Sequence, residues 1–395
     1  MLAGCATTVI TPPVPVQLVG YGRERVSIEV SDELVARALV VEADGQRVAL
    51  ISAELLWLER CQTETVRAQV AALCGLAPEA LMVCCTHTHS GPDTLDWYDF
   101  APVDQAWLAT LLRQLAGCVW LASQRLRPVR AERVEGTLPV GINRRQRGDG
   151  GLFIGEDSAG VYDDSAVALR LVDEAGALYA SVISAGTHPV AQGFEVPEVS
   201  ADWPGVMCRM VERELGGTCL FINGACGDIN PRDWGDRGPA TMRRIGTQAG
   251  GAALELLSSP AAAADTGGAG VAAKLQPLRL PHQDHPYLQN LVHRRLTADD
   301  GMLTEVQALR IGPVGFVGLP GEVLTETGWA VQRATRLPGA RIAGYANDYV
   351  GYLPLPHIYE AGGYEPQSTM LPPASVLEMV DVAVATADAV APAEV

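Results

Sequence analysis

Apolar positions along the chain fall into short β-like runs that alternate with longer helix-like ones. Residues 47–53 are apolar on both sides, as in a strand buried on two faces, and end at Glu54. The pattern then predicts a helix over 62–73, a strand over 81–85 (Leu-Met-Val-Cys-Cys) and a long helix over 103–126 stopped by Pro128. Residues 130–140 read as extended, and 141–145 as a polar turn. Two strands, 166–171 and 177–184, flank the turn Asp173-Glu174-Ala175-Gly176. A helix opens at Asp202 with Pro204 and closes at Gly216-Gly217, placing Asp202 at the N-cap. Strands at 218–222 and 314–319, a helix over 323–336 and a closing helix over 374–391 complete the pattern. Strands alternating with helices specify an α/β fold: a mixed β-sheet core with flanking helices, organised as a single domain over 1–395. Residues 258–270 (Ser-Ser-Pro, four alanines, then Thr-Gly-Gly-Ala-Gly) are the candidate internal linker, and no internal repeat is visible.

Composition narrows the function classes. At 395 residues, 48% hydrophobic, 19% charged and with 41 glycines, the chain is a compact globular protein with room for a large core. A net charge of −17 argues against a nucleic-acid or anionic-membrane partner, since both require clustered Lys and Arg. No apolar run reaches the length of a membrane span, so no stable membrane insertion is expected. The nine cysteines are scattered with no Cys-x-x-Cys pair, several inside apolar runs (Cys74, Cys84, Cys118, Cys208, Cys219), which suits reduced core thiols and a cytoplasmic location. Leu2-Ala3-Gly4-Cys5 has the letters of a lipoprotein cleavage box, but only Met1 precedes it, so export is not expected. The oligomeric state is left open.

Candidate chemistry centres on Thr86-His87-Thr88-His89-Ser90-Gly91-Pro92, which holds two of the seven histidines. On extended chain, positions i and i+2 face one side with alpha carbons roughly 6.5 Å apart, so both imidazoles are expected in one cavity at the strand's carboxyl end. A third histidine, His188, ends the strand predicted over 177–184, and Glu322 stands on the strand-to-helix turn Pro320-Gly321-Glu322. Alone, Glu322 reads equally well as a carboxylate offsetting a helix dipole. Together, two histidines and a carboxylate are the ligand set of hydrolytic zinc sites, which leave one position open. Glu54 reads as a helix-start acid, Cys226 as a core thiol outside any nucleophile elbow, and His282 and His285 as solvent-facing turn residues. Gly20-Tyr21-Gly22 reads as a tight turn, and Arg144 as a side chain able to reach a site. The tyrosines clustered over 345–364 read as packing at the core edge.

These motifs resemble the catalytic domain of the neutral/alkaline non-lysosomal ceramidases. The resemblance rests on Thr86 to Pro92, Asn143-Arg144, Gly186-Thr187-His188-Pro189, Gly224 to Pro231, and Pro320-Gly321-Glu322 with Tyr352 and Tyr364-Glu365, in the family's order. It implies a Zn²⁺ held by His87, His188, Glu322 and Tyr364, with His89, Arg144 and Tyr352 facing the substrate. It also implies hydrolysis of the amide of ceramide. The family's Gly-Asp-Val-Ser-Pro loop reads Gly227-Asp228-Ile229-Asn230-Pro231 here, so Asn230 replaces the serine nucleophile and is expected to orient substrate or support an oxyanion. The family's carboxyl-terminal immunoglobulin-like domain and secretory signal are expected to be absent. The resulting expectation is a zinc-dependent hydrolase that cleaves a carbon-nitrogen amide bond with metal-activated water, acting on a small N-acyl compound, amide or cyclic amide. The alternatives are a ceramidase acting on N-acyl sphingoid lipid and a non-catalytic zinc or ligand binder.

Overall fold

The computed structural model describes residues 1–95, 102–233, 235–261, 270–283 and 301–392. Among them, three sheets are built to one plan. The first runs Leu2–Val9, Val35–Ala43, Gln46–Ala53, helix Arg60–Cys74, strand Leu81–Cys85, then helix Gln105–Ser123. The second repeats this with Arg130–Thr137, Ser165–Val172, Leu178–Ala185, helix Asp202–Leu215, strand Thr218–Asn223 and helix Pro239–Ser258. The third uses Val271–Leu280, Met302–Ile311, Val314–Gly318, helix Thr325–Ala334, strand Ala340–Ala343 and helix Pro373–Asp388. In each sheet the four strands lie side by side in chain order. The first two pairings are antiparallel and the last is parallel. A parallel neighbour cannot be joined by a tight turn, which is why the crossover helix recurs between the third and fourth strands. No sequence period betrays this repeat, because the spacers between equivalent elements differ in length and composition.

The fourth strands are mostly apolar and meet at their carboxyl ends, where side chains and backbone tie the sheets together. Ser52 Oγ donates to the Phe221 carbonyl (2.6 Å) and Asn223 Nδ2 to the Thr86 carbonyl (3.0 Å). Gly344 N donates to the Asn223 carbonyl (2.9 Å) and Cys85 N to that of Tyr345 (3.3 Å). All these side chains are buried, so each bond satisfies a polar group that would otherwise cost about 1–3 kcal/mol.

Several sequence expectations need correction. Residues 141–145 are not a turn but part of strand Gly141–Gly148, which pairs with Gly151–Asp157 and with Ile229–Pro231. Glu54 is no helix-start acid: it is buried, accepts from Val35 N (2.7 Å) and pairs with Arg37 (2.7 Å). Asp202 is the first helical residue, at φ +56°, while Ala201 is the N-cap. Its carboxylate instead accepts from the backbone of Gln192 (2.9 Å) and Ala191 (3.2 Å), fixing the chain just after His188. Of the candidate linker, 262–269 lie outside the described residues, as does His285. His282 is half-buried rather than solvent-facing. All nine cysteines are free; Cys74 is half-buried and Cys61 exposed, and the rest are buried. No helix of the described residues is long and apolar enough to cross a membrane.

Candidate metal centre and active site

The site is assembled from the turns that follow the third and fourth strands. Strand Leu81–Cys85 stops short of His87, whose backbone is left-handed (φ +73°). The two histidines are therefore not on an extended strand, although their rings do share one cavity, 4.8 Å apart. A non-glycine residue in that conformation costs on the order of 1–3 kcal/mol and persists only where its surroundings hold it. Here His87 N donates to the Leu55 carbonyl (2.8 Å), its Nδ1 meets the Leu56 carbonyl (2.9 Å), and its ring stacks on Tyr345 at 3.8 Å. Tyr345 is itself left-handed (φ +54°) two residues past strand Ala340–Ala343, as His87 is past its own strand.

His188 follows strand Leu178–Ala185. Its Nδ1 lies 2.7 Å from the Cys226 carbonyl, and Trp203 Nε1 donates to its own carbonyl (3.1 Å). Glu322 is not at a helix start; it lies in a two-residue strand, Glu322–Val323, parallel to Tyr352–Leu353 and in register with Tyr352. The helix-dipole reading of Glu322 therefore falls, since helix Thr325–Ala334 begins beyond it. Glu322 Oε2 stands 3.0 Å from His188 Nε2 and 3.5 Å from His87 Nε2.

Both Nδ1 atoms face carbonyl oxygens, which suit a ring N–H, and both Nε2 atoms converge on the carboxylate. Burial, with Arg144 adding to it, pushes His188 down to about 4. Burial opposes ionisation of Glu322, but the neighbouring histidines outweigh it and hold the carboxyl well below its usual range. Two imidazole nitrogens facing one buried carboxylate oxygen make a cluster of donor atoms of the kind a cation occupies. One ring nitrogen from each of His87, His89 and His188 lies within 4.8 Å of the others, and His87 Nε2 and both ring nitrogens of His89 have no hydrogen-bond partner. The donor set fits zinc, with the backbone carbonyls at Nδ1 acting as the orienting partners such ligands use.

Arg144 is buried against the same cluster. Its Nε donates to Glu365 (3.0 Å), Nη2 to the Tyr352 hydroxyl (2.9 Å), and Nη1 lies 3.2 Å from His188 Nε2. Tyr352 is 4% exposed, whereas Tyr364, with its ring 5.5 Å away, is 42% exposed. His89 is held by Arg25, which donates to its carbonyl, and packs edge-on against Tyr21 at 5.0 Å. Gly20 sits so close that a Cβ there would stand 2.6 Å from His89 Nδ1. Asn230 is buried on a strand paired with 141–143, and its Oδ1 has no partner. The Cys226 thiol lies 3.0 Å from the Tyr345 hydroxyl, and burial pushes its pKa up, which suits the core thiol expected there.

The loop from Asn223 to Pro231 is the hub of the site. Its carbonyls receive His188 and Arg144 N, and its Gly227 N donates to the Val323 carbonyl (2.8 Å). A Cβ on Gly227 would stand 2.8 Å from the Glu322 carbonyl and 3.0 Å from that of Val323. Backbone on both sides leaves little room to yield, so Gly227→Ala is expected to lower stability by roughly 1–3 kcal/mol in urea unfolding. An unchanged midpoint would show that this close approach is not what the glycine serves. Sequence reasoning missed the roles of Tyr345 and Tyr349, whose hydroxyls lie 3.5 and 2.5 Å from the two Glu322 oxygens. Their density within 345–364 was the signal available.

No family model matches the chain. A neutral ceramidase from Mycobacterium tuberculosis is 32% identical over 102 residues, a stretch covering 24% of this chain and 14% of that protein. The crystal structure of neutral ceramidase from Pseudomonas aeruginosa matches at TM-score 0.80 and 21% identity, covering 99% of this chain and 75% of its own. A ceramidase complexed with C2 matches at TM-score 0.83 and 20% identity, covering 100% of this chain and 76% of its own. In fold along its whole length, and in sequence over about a quarter of it, the chain is neutral ceramidase-like.

Proposed function

We propose that the protein is a zinc-dependent hydrolase of an amide carbon-nitrogen bond. The observation that carries this reading is the convergence of His87 Nε2, His188 Nε2 and Glu322 Oε2 beside a buried guanidinium, Arg144. The chemistry a bound zinc supplies is Lewis acidity, which polarises a carbonyl and makes water nucleophilic near neutral pH. His87, His188 and Glu322 would hold it. For the fourth ligand, the resemblance favours Tyr364, but burial and the register with Glu322 favour Tyr352, which leaves the more exposed Tyr364 to meet substrate.

The remaining residues serve the acyl group. Arg144, a permanent cation already anchored by Glu365, suits the oxygen that gains negative charge as the carbonyl carbon becomes tetrahedral. His89 offers a neutral imidazole with both nitrogens unmatched, able to give one N–H to that oxygen. Asn230 cannot attack a carbonyl, and its Oδ1 is suited to accept from the amide N–H of a substrate and so orient the scissile bond. A pure binding protein would have no use for an arginine buried beside the ligands, which favours the enzyme over the non-catalytic reading.

For the substrate we propose a small N-acyl compound, amide or cyclic amide, matching the acidic charge of −17 that disfavours anionic lipid surfaces. A ceramidase acting on N-acyl sphingoid lipid is the second reading, favoured by the names of the matching proteins. Turnover of short N-acyl amines and cyclic amides compared with ceramide in detergent separates them. The small-substrate reading expects a short compound to be hydrolysed fastest, and ceramide outpacing every short compound would overturn it.

A further inference from the structure

Tyr349 bears on how Glu322 is held. Its hydroxyl donates to Glu322 Oε1 at 2.5 Å, a charge-assisted bond shorter than a neutral one, and the side chain is 3% exposed. With Oε1 so engaged, Oε2 is the oxygen left to face the two imidazoles. Tyr349 is in turn packed against the Trp57 ring at 4.5 Å. Trp57 adjoins Leu55 and Leu56, the residues whose carbonyls receive the backbone N–H and the Nδ1 of His87. One short segment, 55–57, therefore steadies a histidine directly and the carboxylate through a tyrosine.

The threefold plan sharpens this. The turn after the third strand supplies His188 in the second sheet and Glu322 in the third; in the first it supplies Leu55-Leu56-Trp57. The first turn has no ligating side chain at the place where the others have one. We propose that Tyr349 is a positioning residue that restricts Glu322 to single-oxygen metal ligation, and that the 55–57 segment is the brace that locks it in place. The proposal rests on the metal-site reading above.

Cobalt(II) titration of the metal-stripped full chain, followed by visible absorption, tests it without recourse to turnover. Tyr349→Phe keeps the ring against Trp57 but frees Oε1, and is expected to weaken cobalt binding roughly 10–100-fold and to weaken the absorption bands as the carboxylate becomes bidentate. Trp57→Phe is expected to weaken binding less. Tyr359→Phe, which removes a half-buried hydroxyl bonded to the Leu371 carbonyl outside the site, is expected to leave both affinity and spectrum unchanged. Wild-type affinity and spectrum in Tyr349→Phe, or an equal loss in Tyr359→Phe, would overturn the positioning role. A wild-type chain that binds no cobalt would instead sink the metal site itself.

Discussion

Replacing Glu322 with glutamine is expected to reduce hydrolysis to the uncatalysed background. The substitution keeps the size and planar shape of the side chain, its partner Tyr349 and its strand pairing with Tyr352, but removes the negative charge that faces His87 and His188. The carboxylate is buried, so its charge is not replaced by solvent, and a divalent ion held by neutral imidazoles alone loses its principal electrostatic partner. The fold should survive, because the amide keeps an oxygen that can accept from Tyr349 while the desolvation cost of a buried charge is removed. The measurement is kcat/KM on the best short substrate alongside the melting temperature of the stripped chain. Activity within tenfold of wild type would show that the carboxylate is structural.

Arg144→Met is expected to lower kcat by roughly two to three orders of magnitude, the usual loss for one donor to an oxyanion, while the metal stays bound. Methionine keeps most of the buried stem. Glu365, which loses Arg144, is still paired with Arg145, so the variant does not leave an uncompensated carboxylate. Its distinguishing signature is therefore a fall in kcat with unchanged metal stoichiometry, unlike Glu322→Gln, where both fall. A kcat within tenfold of wild type would remove Arg144 from the chemistry.

Some of this could be read from the sequence. His-x-His before a Gly-Pro break marked a strand end, and the Gly186-Thr187-His188-Pro189 and Pro320-Gly321-Glu322 turns marked two more, because buried strands betray themselves by unbroken apolar runs. His87 enters the cavity not from an extended strand but from a left-handed backbone held by the Leu55 and Leu56 carbonyls and the Tyr345 ring, all distant in sequence. Glu322 could be recognised as a candidate, but not its two-residue strand, since so short a pairing has no periodicity to detect. The threefold sheet plan was invisible for a related reason. Equivalent strands share a hydrophobic requirement but not a residue, and insertions such as the Gly141–Asp157 hairpin displace the spacing. Tyr349 could not be told from core packing, because its role depends on a hydroxyl meeting a carboxylate 27 residues away along the chain.

Metal content after purification without chelator tests whether His87, His188 and Glu322 hold an ion. Close to one equivalent of zinc is expected in the wild-type chain, with a clear loss in His188→Ala and a larger loss in Tyr352→Phe than in Tyr364→Phe. Well under half an equivalent of any transition metal in the wild type, with His188→Ala no different, would contradict it.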